Sequence, residues 1–337
     1  MKKLGVGIIG IGAIGRFHSR NIAHYIPKAY LAGIADSNYS AALEVGSTLG
    51  VDKVYSDYKQ MLEDKDVEAV AIAAPTFLKK DMVSTVARKG KNIFVEKPMA
   101  LSVEDCDFMI GEAKKAGVKL QVGYQRRFDR AFVKVEKAVV SGEIGMIQLV
   151  KSCTRDPPAE PGGWTLDPKL SGGIWLDTCS HDFDAIRFLS KAEVTQVYAE
   201  AVNIVYEKFK PYGGIDNVFI VMKLSNGALA EVDSCQYTVY GYDVRAEVIG
   251  TKSAAFIDMG ENSPVRTLTG TMATQDPPFT FQEKFGQAYH DELVDFVDCV
   301  LENRQPKATG EDGRKAVEIG LAADQSARKH VPVQLPL

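Results

Sequence analysis

The chain is short of the features that mark secreted, metal-ribbon and membrane proteins. Its five cysteines (Cys106, Cys153, Cys179, Cys235, Cys299) are odd in number, scattered and never in C-x-x-C spacing. That pattern argues against a disulfide framework and against a zinc site, and it fits a reducing cytoplasm. No stretch approaches the roughly 20 apolar residues needed to cross a bilayer, so no membrane partner is expected. Met1-Lys2-Lys3 and the apolar run behind it resemble the start of a secretory signal. Gly7, Gly10, Gly12 and Gly15 break that run, and Arg16 and His18 follow without a small-residue cleavage site. One-sided charge is lacking too: Lys plus Arg is 40, Asp plus Glu is 44, and the net charge is −4. With no basic block or acidic tail, nothing points to nucleic acid.

The chain is rich in glycine at one informative place, Leu4 to Asp36. An apolar strand (Leu4, Val6, Ile8, Ile9) leads into Gly10-Ile11-Gly12-Ala13-Ile14-Gly15. A helix is expected from about Arg16 to Tyr25, then a second strand, Tyr30 to Ala35, closed by Asp36. A lone G-x-G-x-x-G matches many turns; one placed after a strand, opening a helix, with an acid about 20 residues on, is a dinucleotide fingerprint. Gly10 permits the tight turn, Gly12 lets backbone approach a pyrophosphate, and Gly15 allows close helix packing, with the phosphates against N–H groups at the helix start. Asp36 would accept hydrogen bonds from two ribose hydroxyls and repel a 2′-phosphate, so NAD is expected over NADP. Were NADP used, Ser37 or Asn38 would have to accommodate the phosphate.

At 337 residues the chain is too long for one ordinary core. Strand and helix patterns alternate through its first third. Helices are expected at Ala41–Leu49, Asp57–Asp64, Lys80–Lys89 and Val103–Ala116, and strands at Ala69–Ala73, Asn92–Val95 and Lys119–Gly123. Repeated β-α-β implies a doubly wound parallel sheet, an α/β Rossmann domain over residues 1–123. Ligands of such sheets lie outside the carboxyl ends of the strands. The expected cofactor contacts are therefore Gly10, Gly12, Ala13, Ile14, Gly15, Asp36, Ser37, Pro75, Thr76, Glu96 and Lys97. Past Gly123 the pattern becomes a helix, Ala131–Ser141, then strands at Ile147–Thr154, Val194–Val205, Asn217–Leu224, Ala228–Tyr237 and Asp243–Gly250. Asn226-Gly227 is a hairpin turn. Helices at Gln287–Glu302 and Glu311–Lys329 finish the chain. Residues 124–337 therefore read as an α+β domain with a largely antiparallel sheet.

Glu96-Lys97-Pro98 follows a strand end, where a lysine could hold a substrate oxygen as negative charge develops on it. A solvated surface charge is the alternative. A helix beginning near Gly173 would carry Asp177 and His181 at i and i+4 on one face, with Asp184 three residues on. His181 could take a hydroxyl proton while Asp177 orients the ring; a locally paired structural histidine is the alternative. One Asp-x-x-x-His supplies two metal ligands and no third is marked, so no metal is expected. Pro157 to Trp164, rich in proline and glycine, could shape specificity, cover the structure or contact another subunit.

Several segments together resemble the Gfo/Idh/MocA oxidoreductases, and within them the inositol 2-dehydrogenases. They are the glycine fingerprint, Glu96-Lys97-Pro98, Gly123-Tyr124-Gln125-Arg126-Arg127-Phe128-Asp129, Thr154-Arg155-Asp156-Pro157, Asp177 with His181, and Tyr240-Gly241-Tyr242-Asp243. The resemblance implies a Rossmann domain plus a domain with an open, mostly antiparallel sheet that builds dimers and tetramers. It implies a catalytic triad of Lys97, Asp177 and His181, with Arg126, Asp156, Asp184 and Tyr240 as further polyol contacts. It also implies NAD-dependent hydride transfer from a cyclic polyol or sugar. Dehydrogenation or reduction of another sugar or keto-sugar is the alternative. A non-catalytic NAD-sensing regulator is disfavoured, because Lys97 and His181 are both present. Many members carry a histidine soon after the Pro-Thr of the third-strand loop; here Pro75-Thr76-Phe77-Leu78 leads to Lys79 instead.

Overall fold

The computed structural model describes residues 2–337; Met1, the first residue of the expected dinucleotide domain, lies outside them. The chain divides into two compact units, one made of the residues through Gln125 with Gln287–Val317, the other of Arg126–Gly286 with Glu318–Leu337.

In the first unit, strands β1 (Leu4–Ile9), β2 (Ala29–Ala35), β3 (Val54–Tyr55), β4 (Ala69–Ile72), β5 (Asn92–Glu96) and β6 (Leu120–Gly123) form a parallel sheet in the order β3-β2-β1-β4-β5-β6. Every residue of β1 and β4 is buried, as expected of strands covered on both faces. The order reverses between β1 and β4, which is where such sheets bind nucleotides. The intervening helices carry their own stop signals. Val103–Ala116 starts at Ser102, whose hydroxyl accepts from the Asp105 N–H, and ends at Gly117 in the left-handed region. The core joins Val6, Ile8, Ile34 and Phe94 to Leu293, Phe296 and Val297 of the helix Phe281–Leu301.

That last contact departs from the expected division at residue 123. Periodicity reveals an amphipathic helix late in the chain, but not which sheet its apolar stripe will cover. Here the stripe returns to the first sheet, so the dinucleotide unit is discontinuous in sequence.

The second unit holds β7 (Ile147–Arg155), β8 (Val194–Val202), β9 (Asn217–Leu224), β10 (Leu229–Cys235), β11 (Asp243–Gly250), β12 (Ala254–Ile257) and β15 (Val333–Gln334). They form a sheet in the order β12-β11-β7-β10-β9-β8-β15. Only the β7–β10 pair is parallel among the pairings described. A separate hairpin, β13 (Ser263–Leu268) with β14 (Ala273–Asp276), lacks a marked alternation in sequence and was not anticipated. Gly227 adopts φ 87°, completing the Asn226-Gly227 turn between β9 and β10. Strand β9 alternates buried Val218, Ile220, Met222 and Leu224 with exposed Phe219 and Val221, so one face of the sheet is packed and the other is open.

Candidate active-site residues

The fingerprint glycines do three different jobs. A Cβ on Gly10, at φ +95°, would lie 2.6 Å from the Ala73 carbonyl oxygen; one on Gly15 would lie 1.9 Å from that of Gly10. Both therefore allow backbone to meet backbone. A Cβ on Gly12 would meet nothing within 4 Å, so its missing side chain opens a space instead. The helix Ala13–His24 begins at Gly12 without a capping side chain, leaving the first N–H groups, those of Ala13 and Ile14 among them, without intrahelical acceptors. Asp36 accepts from the Ile11 N–H at 2.6 Å and from the Asn38 N–H at 2.7 Å. A carboxylate has about four acceptor positions, so two remain for a ribose diol. An open cradle, unsatisfied N–H groups and an acid with spare acceptors are what NAD requires of this surface. Ser37 is exposed beside Asp36, Pro75 begins the helix Thr76–Arg88, and Thr76 is buried.

The Glu96-Lys97-Pro98 turn leaves the end of β5. Glu96, expected among the cofactor contacts, turns inward: its carboxylate is buried, shares a hydrogen bond of 2.7 Å with His18 Nε2, and accepts from the Lys97 N–H at 3.1 Å. Beside it lies Glu292, fully buried, in the helix Phe281–Leu301. His18, Glu96 and Glu292 place potential ligand atoms within 4.8 Å of one another. Burial and the neighbouring Glu96 push the Glu292 carboxyl well above the usual range. Both effects favour the protonated form of Glu292 beside Glu96. Lys97 itself is half-buried. Lys79, only 2% exposed, donates to the carbonyls of Glu96, Lys97 and Pro98 at 2.7, 3.0 and 2.9 Å.

In the second unit Asp177 and His181 do not share one helix. Gly173–Asp177 ends, and a new helix runs Ser180–Ser190. Thr178 and Cys179 intervene, both N–H groups returning to the Ile174 carbonyl, and the Thr178 hydroxyl points to Asp156 Oδ2 at 3.5 Å. Gln236 donates to the same hydroxyl at 3.1 Å. The break thus brings Asp156 against the segment that joins Asp177 to His181.

Two other expected substrate contacts are occupied internally. Arg126, 1% exposed, donates to Asp182 at 2.8 Å and to Thr154 at 2.5 Å. Asp182 also accepts from Ser152 and Thr154 on β7. Asp184 takes a two-pronged hydrogen bond from Arg127, at 2.9 and 2.7 Å. These pairs fasten the helix that starts one residue before His181. Tyr240 is not brought to that side. Its hydroxyl bonds Asp243 at 3.0 Å and Arg155 at 3.1 Å, and strand alternation sends Arg155 to the face opposite Thr154.

Sequence patterns decide the family. Residues 4–124 match the oxidoreductase family with an NAD-binding Rossmann fold, and residues 132–256 match the Gfo/Idh/MocA C-terminal domain. The chain belongs to the Gfo/Idh/MocA oxidoreductases. It is an enzyme that uses NAD. It is 36% identical to the myo-inositol 2-dehydrogenase of Thermotoga maritima, over 98% of each chain. Against the scyllo-inositol 2-dehydrogenase (NAD(+)) of Bacillus subtilis it is also 36% identical, over 97% of this chain and 95% of the relative. The structure of scyllo-inositol dehydrogenase from Lactobacillus casei, with bound NAD(H) and scyllo-inositol, superposes with a TM-score of 0.93 at 29% identity, over 99% of each chain.

For a Gfo/Idh/MocA chain, the residues that the sequence did not single out are polar ones drawn inward: His18, Lys79, Arg127, Asp182 and Glu292, all buried, and Gln236, partly buried. Several left a trace. Lys79 shares the helical phase of Val83 and Val86, His18 that of Ile22, and Glu292 that of Ala288 and Phe296, all buried. A polar residue on an apolar stripe needs a partner.

Proposed function

We propose that this Gfo/Idh/MocA enzyme is an inositol 2-dehydrogenase, oxidising a ring carbinol of a cyclic polyol to the ketone. What carries the reading is end-to-end similarity to two inositol dehydrogenases, spanning the cofactor unit and the unit that holds Asp177 and His181. NAD supplies the hydride acceptor. His181 removes the hydroxyl proton, Asp177 supports the imidazolium that results, and Lys97 hydrogen-bonds the oxygen as charge develops on it. Asp156, held at the Asp177–His181 connection through Thr178, binds a further ring hydroxyl. Arg126 and Asp184 act behind these groups, through Asp182 and Arg127, rather than on the polyol.

Reduced-nicotinamide absorbance with NAD and NADP, against myo-, scyllo- and chiro-inositol, glucose and xylose, tests the reading. Rapid NAD reduction with one inositol and little with the sugars is expected. Preference for a sugar would replace the substrate assignment. Equal kcat/KM with NADP would remove the discriminating role of Asp36. His181→Ala and Lys97→Met are each expected to lower kcat about 10²-fold to 10⁴-fold while NAD still binds. Near-normal turnover in either variant would remove that residue from the mechanism.

The proposal extends to assembly and location. The open face of the second sheet carries Tyr198, Phe219, Val221 and Leu229, all exposed, and an apolar face of this kind suits a second copy of the chain, giving a dimer or a tetramer. All five cysteines are free, four of them buried, as suits the cytoplasm. No helix among the described residues is long and apolar enough to cross a membrane.

A further inference from the structure

We infer that Lys79 is a positioning residue for Lys97, its buried ammonium setting the backbone from which the Lys97 side chain departs. The inference rests on the catalytic role proposed for Lys97. Three consecutive carbonyls, those of Glu96, Lys97 and Pro98, converge on one Nζ at 2.7, 3.0 and 2.9 Å. An ammonium has three donors, and each of these three carbonyls accepts from it. Consecutive carbonyls in a strand point alternately to opposite sides; three that face one point define a turn of a single shape. Solvation does not explain Lys79, since it is 2% exposed, and a buried ammonium is retained only where hydrogen bonds compensate its desolvation.

A second set of contacts holds the same turn from its other side. Glu96 accepts from the Lys97 N–H through Oε2 and meets His18 through Oε1. The peptide group on each side of the Lys97 Cα is therefore bonded: the Glu96 carbonyl and the Lys97 carbonyl to Lys79, the Lys97 N–H to Glu96. The direction of the Cα–Cβ bond follows from those peptide planes. Lys79 lies in the first turn of the helix Thr76–Arg88, whose buried Val83 and Val86 seat it against the sheet, so the ammonium is delivered from a rigid element.

Lys79→Met keeps the length and apolar bulk of the side chain and removes its donors. In this variant kcat is expected to fall roughly 30-fold to 100-fold, since misplacement of a reacting group by about 1 Å has that effect. The NAD dissociation constant, read by fluorescence, and the polyol KM should stay within roughly threefold, because such a loss falls on the transition state. The primary isotope effect with carbinol-deuterated polyol should rise as hydride transfer becomes slower than product release. Hydrogen–deuterium exchange, which needs no turnover, should quicken at residues 96–100 while 92–95 stay protected. Lys79→Arg, which keeps a cation with donors, should recover about tenfold of the lost kcat; Lys79→Gln, with two N–H donors, should lie between, and it serves if the Met variant does not fold.

A kcat within roughly threefold of the parent enzyme, or unchanged exchange at 96–100, would overturn the inference. So would an Arg variant no better than Met. Lys97→Met, measured in parallel, separates the two claims. If it keeps its turnover, the catalytic reading of Lys97 fails whatever Lys79 does. If it loses turnover and Lys79→Met does not, only the positioning role fails.

Discussion

Gly12 and Gly15 are three residues apart, yet a methyl group added to each would act on a different property. At Gly12 it meets open space; at Gly15 it meets the Gly10 carbonyl at 1.9 Å. Gly12→Ala is therefore expected to leave the melting temperature within about 2 °C of the parent, since a surface change is worth about 0.5 kcal/mol or less, and to weaken NAD binding. Gly15→Ala should lower the melting temperature itself. Calorimetry and NAD titration of both variants check this, and a stable Gly15→Ala would contradict the packing argument. Glu292 gives a residue-scale prediction in pH. Its carboxyl is raised in the folded state by burial and by Glu96. Between its unfolded and folded pKa the native state holds a proton that the unfolded chain has released, so stability falls as pH rises through that window. Its contribution is complete below the unfolded carboxylate range and is lost as pH rises through the folded pKa. Glu292→Gln should gain stability over the parent as the pH is raised from 5 to 8, as read by thermal melting. A difference that does not change with pH would show that the folded-state carboxyl is not raised above its unfolded value. The glycine roles were legible in sequence because a backbone motif leaves a local signature; Glu292 was not, because its partners come from distant segments.

Helix Ser180–Ser190 shows what the same logic does to an element. Its Asp182 binds Arg126, Ser152 and Thr154, and its Asp184 binds Arg127. Arg126 and Asp182 are both buried, so removing one leaves the other as an uncompensated interior charge. Arg126→Met should cost about 3–5 kcal/mol, and adding Asp182→Asn should return part of that loss. Urea unfolding of the parent, single and double variants decides it; a single variant as stable as the parent would mean that the pair is not holding the helix. Spacing alone had placed Asp177 and His181 on one continuous helix. The helix breaks at Thr178, whose hydroxyl is drawn to Asp156 and Gln236, because a Thr hydroxyl can be satisfied outside a helix. Elements with a regular apolar pattern, such as Val103–Ala116, Asn217–Leu224 and Asp243–Gly250, match their expected bounds. The hairpin β13–β14, without such a pattern, was invisible.

For the whole molecule, the open face of the second sheet makes a claim that no single element makes. If Phe219 and Val221 are covered by a second copy, then Phe219→Glu with Val221→Lys should dissociate the assembly, as read by sedimentation velocity. An unchanged sedimentation coefficient would exclude this face as the contact. The alternation that exposes these two side chains is plain in sequence, but an alternating strand shows only that its two faces differ, not what lies on each.

By itself the sequence determined the local things. They are the Rossmann turn and its acid, the α/β class of the first unit, the strand-rich character of the second, and Lys97, Asp177 and His181 as the residues to weigh. Each is written in neighbours along the chain, where backbone geometry and side-chain period act. The tertiary structure decided the rest: that a late helix returns to the first sheet through Leu293 and Phe296, that Arg126 and Asp184 are paired inside, that Tyr240 joins Arg155 and Asp243, and that Lys79 gathers three carbonyls of the Glu96-Lys97-Pro98 turn. A buried charge takes its partner from whatever the fold brings near it, and sequence separation carries no information about that distance.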